Sequence, residues 1–205
     1  MAGGAIFVTG AVEGDLDEAV LRRIVEHVGA SLTKVLGRHG KQALLQSIAG
    51  YNNAARFEPW IVLVDLDQDC DCAPPCQLEW LPAPAQHMCF RIAVRAVEAW
   101  LLSDRDRIAN FLKVPVARVP EMPESLGDPK RELVDLARRS SRRAVREELV
   151  PALGSGRQVG PLYIARLIHF VEDQTVGWRP SAASRLSDSL ARCIACLDRL
   201  IGGPA

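Results

Sequence analysis

The stretch IVLVDLDQD, residues 61–69, decides the fold. Ile61–Val64 is apolar without polar alternation, which marks a strand buried on both faces, as parallel strands are. It then runs into acid, with Asp65, Asp67 and Asp69 on every second position. Upstream, AIFVTGAV at 5–12 is another short, apolar, β-branched run, and it ends at Glu13-Gly14. Leu16, Val20, Ile24 and Val28 follow at helical spacing, so a helix is expected over 16–28. Asp15, with Glu18 three positions later, reads as its capping box. Two strands that each end in a carboxylate place Glu13 beside Asp65 and Asp67 on one sheet edge. In open α/β sheets the carboxyl edge carries the ligands.

Further along, a loop is expected at 37–41 and a helix at 43–55. Residues 70–86 hold four prolines and three cysteines and read as an irregular loop. His87–Val94 reads as a strand, and Ala96–Phe111 as a helix. Residues 113–130 are rich in turn formers, and 132–150 should be one arginine-dense helix. A glycine-rich loop at 154–161 precedes helices at 162–172 and 186–201. β and α alternate in the first half, and the second half is mostly helical. The expected architecture is α/β: a mostly parallel sheet flanked by helices over 1–105, with a mainly helical extension over 106–205 packed on it.

Composition narrows the function. Lys plus Arg and Asp plus Glu both number 25, so net charge is zero and any nucleic-acid binding must come from a local patch. No apolar run approaches the roughly 18–20 residues of a membrane span. The N-terminus lacks the pattern of a signal peptide, so a cytoplasmic location with reduced cysteines is expected.

Three carboxylates within five residues raise each other's pKa unless a positive charge sits among them. Mg²⁺ is held by one or two carboxylates plus water and phosphate oxygens. In an extended chain Asp65 and Asp67 point to one side and can share an ion, with Asp69 joining if the strand continues. The bland alternative is a solvated loop. An EF-hand is excluded, because positions six and twelve from Asp65 hold Cys70 and Cys76.

This Glu-Gly strand end, followed by a buried strand ending in DxD, resembles the TOPRIM fold of topoisomerases, primases and overcoming-lysogenization-type nucleases. A closer resemblance is to a TOPRIM-like family of unknown function, some of whose members are encoded beside ATPases in bacteria. It rests on EGDLDE at 13–18, GK with YNNAA at 40–55, VDLDQD at 64–69 and VEAWLLSD at 97–104. DPK at 128–130, GSGR at 154–157 and GP-L-Y at 160–163 also fit. The resemblance implies Glu13 as general acid or base, with Mg²⁺ or Mn²⁺ on Asp65 and Asp67, and the alternating spacing adds Asp69 as a candidate ligand. It adds Glu98 as a further ligand, against the plainer reading of a first-turn carboxylate. It implies a nuclease, acting in phage defence with an ATPase partner. A non-catalytic binding subunit for an ATPase or nucleic acid stays open, as does a phosphatase or nucleotidyl transferase. Self-association also stays open.

Arg138, Arg142 and Arg146 would share one face of the 132–150 helix and could bind DNA or RNA phosphates, with a solvated face as the alternative. Lys130 and Arg157 could assist at the site, Arg157 from a loop whose N–H groups favour anions. Asp104 reads as a solvated helix residue, and Trp80 and Trp100 as core. Cys70, Cys72, Cys76 and Cys89 miss the usual zinc spacing, and Cys193-x-x-Cys196 sits in an amphipathic helix, so thiols are the plainer reading. Gly40-Lys41 is not a P-loop, because Val35 and Gln42 stand where glycine and Ser or Thr are needed.

Overall fold

A computed structural model describes residues 6–202. Four strands form its sheet: β1 (Phe7–Val12), β2 (Ser31–Gly37), β3 (Trp60–Asp65) and β4 (Met88–Ala93). The strand order is β2-β1-β3-β4, with every neighbouring pair parallel. Three helices cross over between them: α1 (Asp15–His27), α2 (Lys41–Ala54) and α3 (Ala73–Trp80). Then come α4 (Val97–Ser103), α5 (Arg105–Leu112), α6 (Pro129–Arg138) and α7 (Arg143–Leu149). The chain ends in α8 (Tyr163–Glu172), a short α9 (Pro180–Ala183) and α10 (Asp188–Gly202). The α/β class read from the sequence is the observed one. Residue 5 of the expected first strand lies outside the described residues.

Period-two alternation sorts the strands onto two layers. Val8, Val12, Ile61, Leu63, Cys89 and Ala93 face a core shared with α1, α4, α8 and α10. Ala11, Val62, Val64, Phe90 and Ile92 face a smaller core closed by Leu44 and Ile48 of α2 and Cys76 of α3. The larger core runs from Val8 to Leu197, so the sheet and the C-terminal helices bury one another. Trp100 and Trp178 lie at its centre, and the Trp178 indole N–H donates to the Trp100 carbonyl at 3.0 Å.

The sequence passes over several elements. β2 pairs only with β1, at the sheet edge, so its exposed and buried positions give no continuous apolar run. α3 opens with Pro74 and Pro75, which are tolerated in a first helical turn. The helix expected over 96–111 breaks at Asp104, the junction of α4 and α5. Asp104 is buried rather than solvated: its carboxylate accepts from the Arg179 backbone N–H at 2.9 Å and from the guanidinium at 2.6 and 2.9 Å. The single arginine helix is also two. Ser140 and Ser141 interrupt it, and Ser141 donates through its backbone N–H and its hydroxyl to the Lys113 carbonyl. At α1 the N-cap is Gly14, in extended conformation and without a side-chain cap bond, so the capping box does not form. Glu18 instead pairs with Arg22 and Arg38.

The cysteines depart from expectation as well. Cys70 is bonded to Cys76, and Cys89 to Cys196. Cys72 is free and exposed. Cys193 is free and buried, with its thiol pushed up to about 12 by burial. The four-cysteine grouping therefore does not exist as a cluster. Helical geometry turns Cys196 toward β4 and Cys193 into the core, so the C-x-x-C does not act as a pair.

Candidate active site at the carboxyl edge of the sheet

The strand order reverses at β1: β2 lies on one side and β3 on the other. A crevice forms outside the carboxyl ends of strands at such a switch point. Here those ends carry Glu13 and Asp65. The Asp65 backbone N–H donates to Glu13 Oε1 at 2.8 Å, which locks the two strand ends together. Asp65 Oδ1 accepts from the Val97 backbone N–H at 3.0 Å, satisfying a free donor in the first turn of α4. That bond brings Glu98, 2% exposed, to the same crevice. In the first turn of α1, Asp17 joins them, 9% exposed. Glu13, Asp17, Asp65, Asp67 and Glu98 line a cavity of about 380 Å³ together with Lys130.

The positive side is built as carefully. Asp128 caps α6 by accepting from the Arg131 N–H at 2.9 Å, and Pro129 takes the first helical position. Lys130 follows, and its Nζ lies 3.8 Å from Glu98 Oε1. The buried Tyr163 hydroxyl donates to the same oxygen at 3.3 Å. Tyr163 is set by Gly160, where any Cβ would fall 2.4–2.6 Å from the backbone of residues 148–150. The DPK and GP-L-Y stretches thus have structural reasons to exist.

Burial raises the pKa of Glu13, opposed by the hydrogen bond from Asp65. Burial, with the charges of Glu13 and Glu98, raises Asp17 to about 7. Asp65 is held well above the ordinary range by burial and then by Asp17, Glu98 and Glu13. Glu98 is raised by burial despite Lys130. The Glu98 carboxylate in turn raises Lys130.

The three aspartates do not form the comb that the sequence suggests. β3 stops at Asp65 and Leu66 turns into the core. Asp67 adopts a left-handed φ of 49°, and the Asp69 N–H returns to the Leu66 carbonyl. Asp69 is therefore not brought beside Asp65. Its Oδ2 lies 2.7 Å from Lys41 Nζ, which also holds Asp67 Oδ2 at 2.6 Å. Among the described residues no three His, Cys, Asp or Glu side chains converge closely enough to ligate one ion by themselves. The donor set still fits a hard cation. All of it is carboxylate oxygen, and Mg²⁺ binds through one or two carboxylates and otherwise through water.

The proposed phosphate-binding arginines are not at this cavity. Arg138 pairs with Asp135, and Arg146 donates to the Ser140 carbonyl. Both line a separate apolar groove with Leu153 and Pro161. Arg142 is exposed at the start of α7 and Arg157 is exposed in its loop. That loop reaches the site through Gln158, which borders a smaller cleft with Asp67, Arg95 and Lys130. Sequence reading counts Asp17 among the acids that follow Glu13 but assigns it no role, although four positions across the β1–α1 turn bring it to the cavity. It missed Lys41 and Tyr163. Trp80, expected in the core, is only partly buried, with Lys41 Nζ 5.8 Å from its ring centroid.

No family model, curated protein or solved structure matches this chain. No helix among the described residues is long and apolar enough to cross a membrane.

Proposed function

We propose that the carboxylate cavity is the active site of a divalent-cation-dependent phosphodiesterase, a nuclease of the TOPRIM-like kind. One observation carries this reading. Four acids from two strand ends and two helix starts meet around one cavity, Asp17 and Glu98 buried and Glu13 and Asp65 half-buried, and burial raises the pKa of each. With the carboxylates ionised such an assembly opposes folding, and a bound cation offsets that cost as bound protons do at lower pH. A bound Mg²⁺ or Mn²⁺ would polarise a phosphoryl oxygen and offset developing charge. Asp65 and Glu98 are the residues to hold it, with Asp17 beside them and Asp67 at the rim paired with Lys41.

The chain's own groups do the rest. Glu13, with one oxygen bonded to the Asp65 N–H, has its other oxygen free to take or return a proton. Its raised pKa brings it closer to the operating range of a general base. Lys130 supplies a point charge for a non-bridging phosphate oxygen, and Tyr163 and Lys130 together orient Glu98. The substrate on this reading is a nucleic acid, DNA or RNA. An ATPase partner, a role in phage defence and self-association extend the reading on the resemblance alone. A cytoplasmic location goes with reduced thiols, whereas the two bonded cysteine pairs go with an oxidising compartment.

The test is hydrolysis of bis(p-nitrophenyl) phosphate and of labelled DNA and RNA oligonucleotides with Mn²⁺ or Mg²⁺. Glu13→Gln and Asp65→Asn are each expected to lower the rate by about 10²–10⁴-fold while the protein stays folded. Wild-type rates in either variant sink the catalytic reading. A second reading, a binding subunit, draws support from the lack of three converging ligands among the described residues. Unchanged partner or nucleic-acid affinity in Asp65→Asn, with no hydrolysis by wild type, selects it.

A further inference from the structure

We propose that Lys41 is a built-in cation for the Asp67–Asp69 pair, so that the site takes one divalent ion and not two. This rests on the reading of the cavity as a cation site. The ammonium lies 2.6 Å from Asp67 Oδ2 and 2.7 Å from Asp69 Oδ2, with only 17% of its side chain exposed. The contact is fixed from both sides. On one side, the Arg38 and Gly40 N–H groups donate to the carbonyls of Val12 and Glu13, welding the β2–α2 loop to the end of β1. Gly37 permits that approach: its φ is 88°, and a Cβ there would lie 2.3 Å from the Val12 carbonyl oxygen. Lys41 then opens α2 within reach of the acids. On the other side, Asp67 is held by its N–H to the Arg95 carbonyl at 2.7 Å, while the Arg95 guanidinium donates to the Asp67 carbonyl at 3.0 Å. The Trp80 ring beside the ammonium narrows its freedom further.

Two carboxylate oxygens within 2.7 Å hold the Lys41 ammonium against the cost of its partial burial. An ion on Asp67 and Asp69 would have to displace this ammonium or stand beside it. Asp17 is different. It is nine-tenths buried, lines the cavity and pairs with no Lys or Arg among the described residues. Four carboxylates on the Glu13–Asp17–Asp65–Glu98 side share one ammonium, Lys130 at 3.8 Å from Glu98, whereas Asp67 and Asp69 have Lys41 to themselves, so the single ion belongs on the first side.

The experiment is Mn²⁺ titration of the full chain without substrate, read as free Mn²⁺ by electron paramagnetic resonance, with circular dichroism melts on every variant. Wild type is expected to bind one ion per chain, and Asp65→Asn to weaken it at least tenfold. Lys41→Gln is expected to gain a second ion, which Asp67→Asn/Asp69→Asn in the same chain removes. Lys41→Arg keeps the charge and stays at one. Two ions in wild type, or one in Lys41→Gln, overturn the proposal and leave the cation site standing. No ion in wild type removes both.

Discussion

At the scale of single residues, Asp17 shows most clearly what this site costs. Its carboxyl holds a proton up to about pH 7 in the folded chain, against an ordinary value of 3.8. Between those values the folded state binds more protons than the unfolded state, so stability falls as pH rises through that window. A shift of this size is worth up to ~4 kcal/mol, shared with the neighbouring acids. Asp17→Asn is therefore expected to stabilise the cation-free protein by ~1–3 kcal/mol at pH 8 and to change little below pH 4. Urea denaturation in chelator at the two pH values checks this. A destabilised variant at pH 8 would show that the charge is already compensated. Added Mn²⁺ should reverse the order, because the ion needs the carboxylate that the amide lacks.

At the scale of elements, the cavity depends on joints between helices, and the joints themselves line none of it. α4 presents Glu98, and its far end is tied by Asp104 to the start of α9. Asp104 is 1% exposed and its partner Arg179 is 41% exposed. Asp104→Ala is expected to cost ~2–3 kcal/mol, below the ~3–5 kcal/mol of a fully buried pair because Arg179 can rehydrate. Denaturant midpoints give the number, and a loss under ~0.5 kcal/mol would mean the tie is dispensable. The same joint explains why sequence periodicity failed here. Ala96–Phe111 keeps helical spacing through position 104, and only the approach of Arg179, 75 residues away, selects the break. Likewise Arg138, Arg142 and Arg146 share a face on paper, but a serine pair anchored to Lys113 divides their helix.

At the scale of the whole molecule, the sheet and the C-terminal helices are one packed body. α10 lies against β4, and Cys89 is bonded to Cys196 across a separation of 107 residues. Closing so long a loop is worth ~2–4 kcal/mol through the unfolded chain. Dithiothreitol should therefore lower Tm, and Cys89→Ala should remove the reductant's effect apart from that of the short Cys70–Cys76 loop. A Tm indifferent to reductant would show that the tether adds nothing to packing.

The sequence by itself determined the α/β class, because runs such as Ile61–Val64 must be buried on both faces and Leu16, Val20 and Ile24 on one. It also determined that Glu13 and Asp65 end two strands, which puts both at the sheet edge in any parallel arrangement. Only the tertiary structure decided the rest. Strand order made β1 and β3 neighbours, and through-space bonds brought in Glu98, Lys130 and Tyr163, while Asp17 follows Glu13 across the β1–α1 turn. A left-handed turn at Asp67 handed two of the three aspartates to Lys41. Local periodicity records which residues must be buried. Which buried charges meet depends on contacts between distant segments, and no spacing along the chain encodes those.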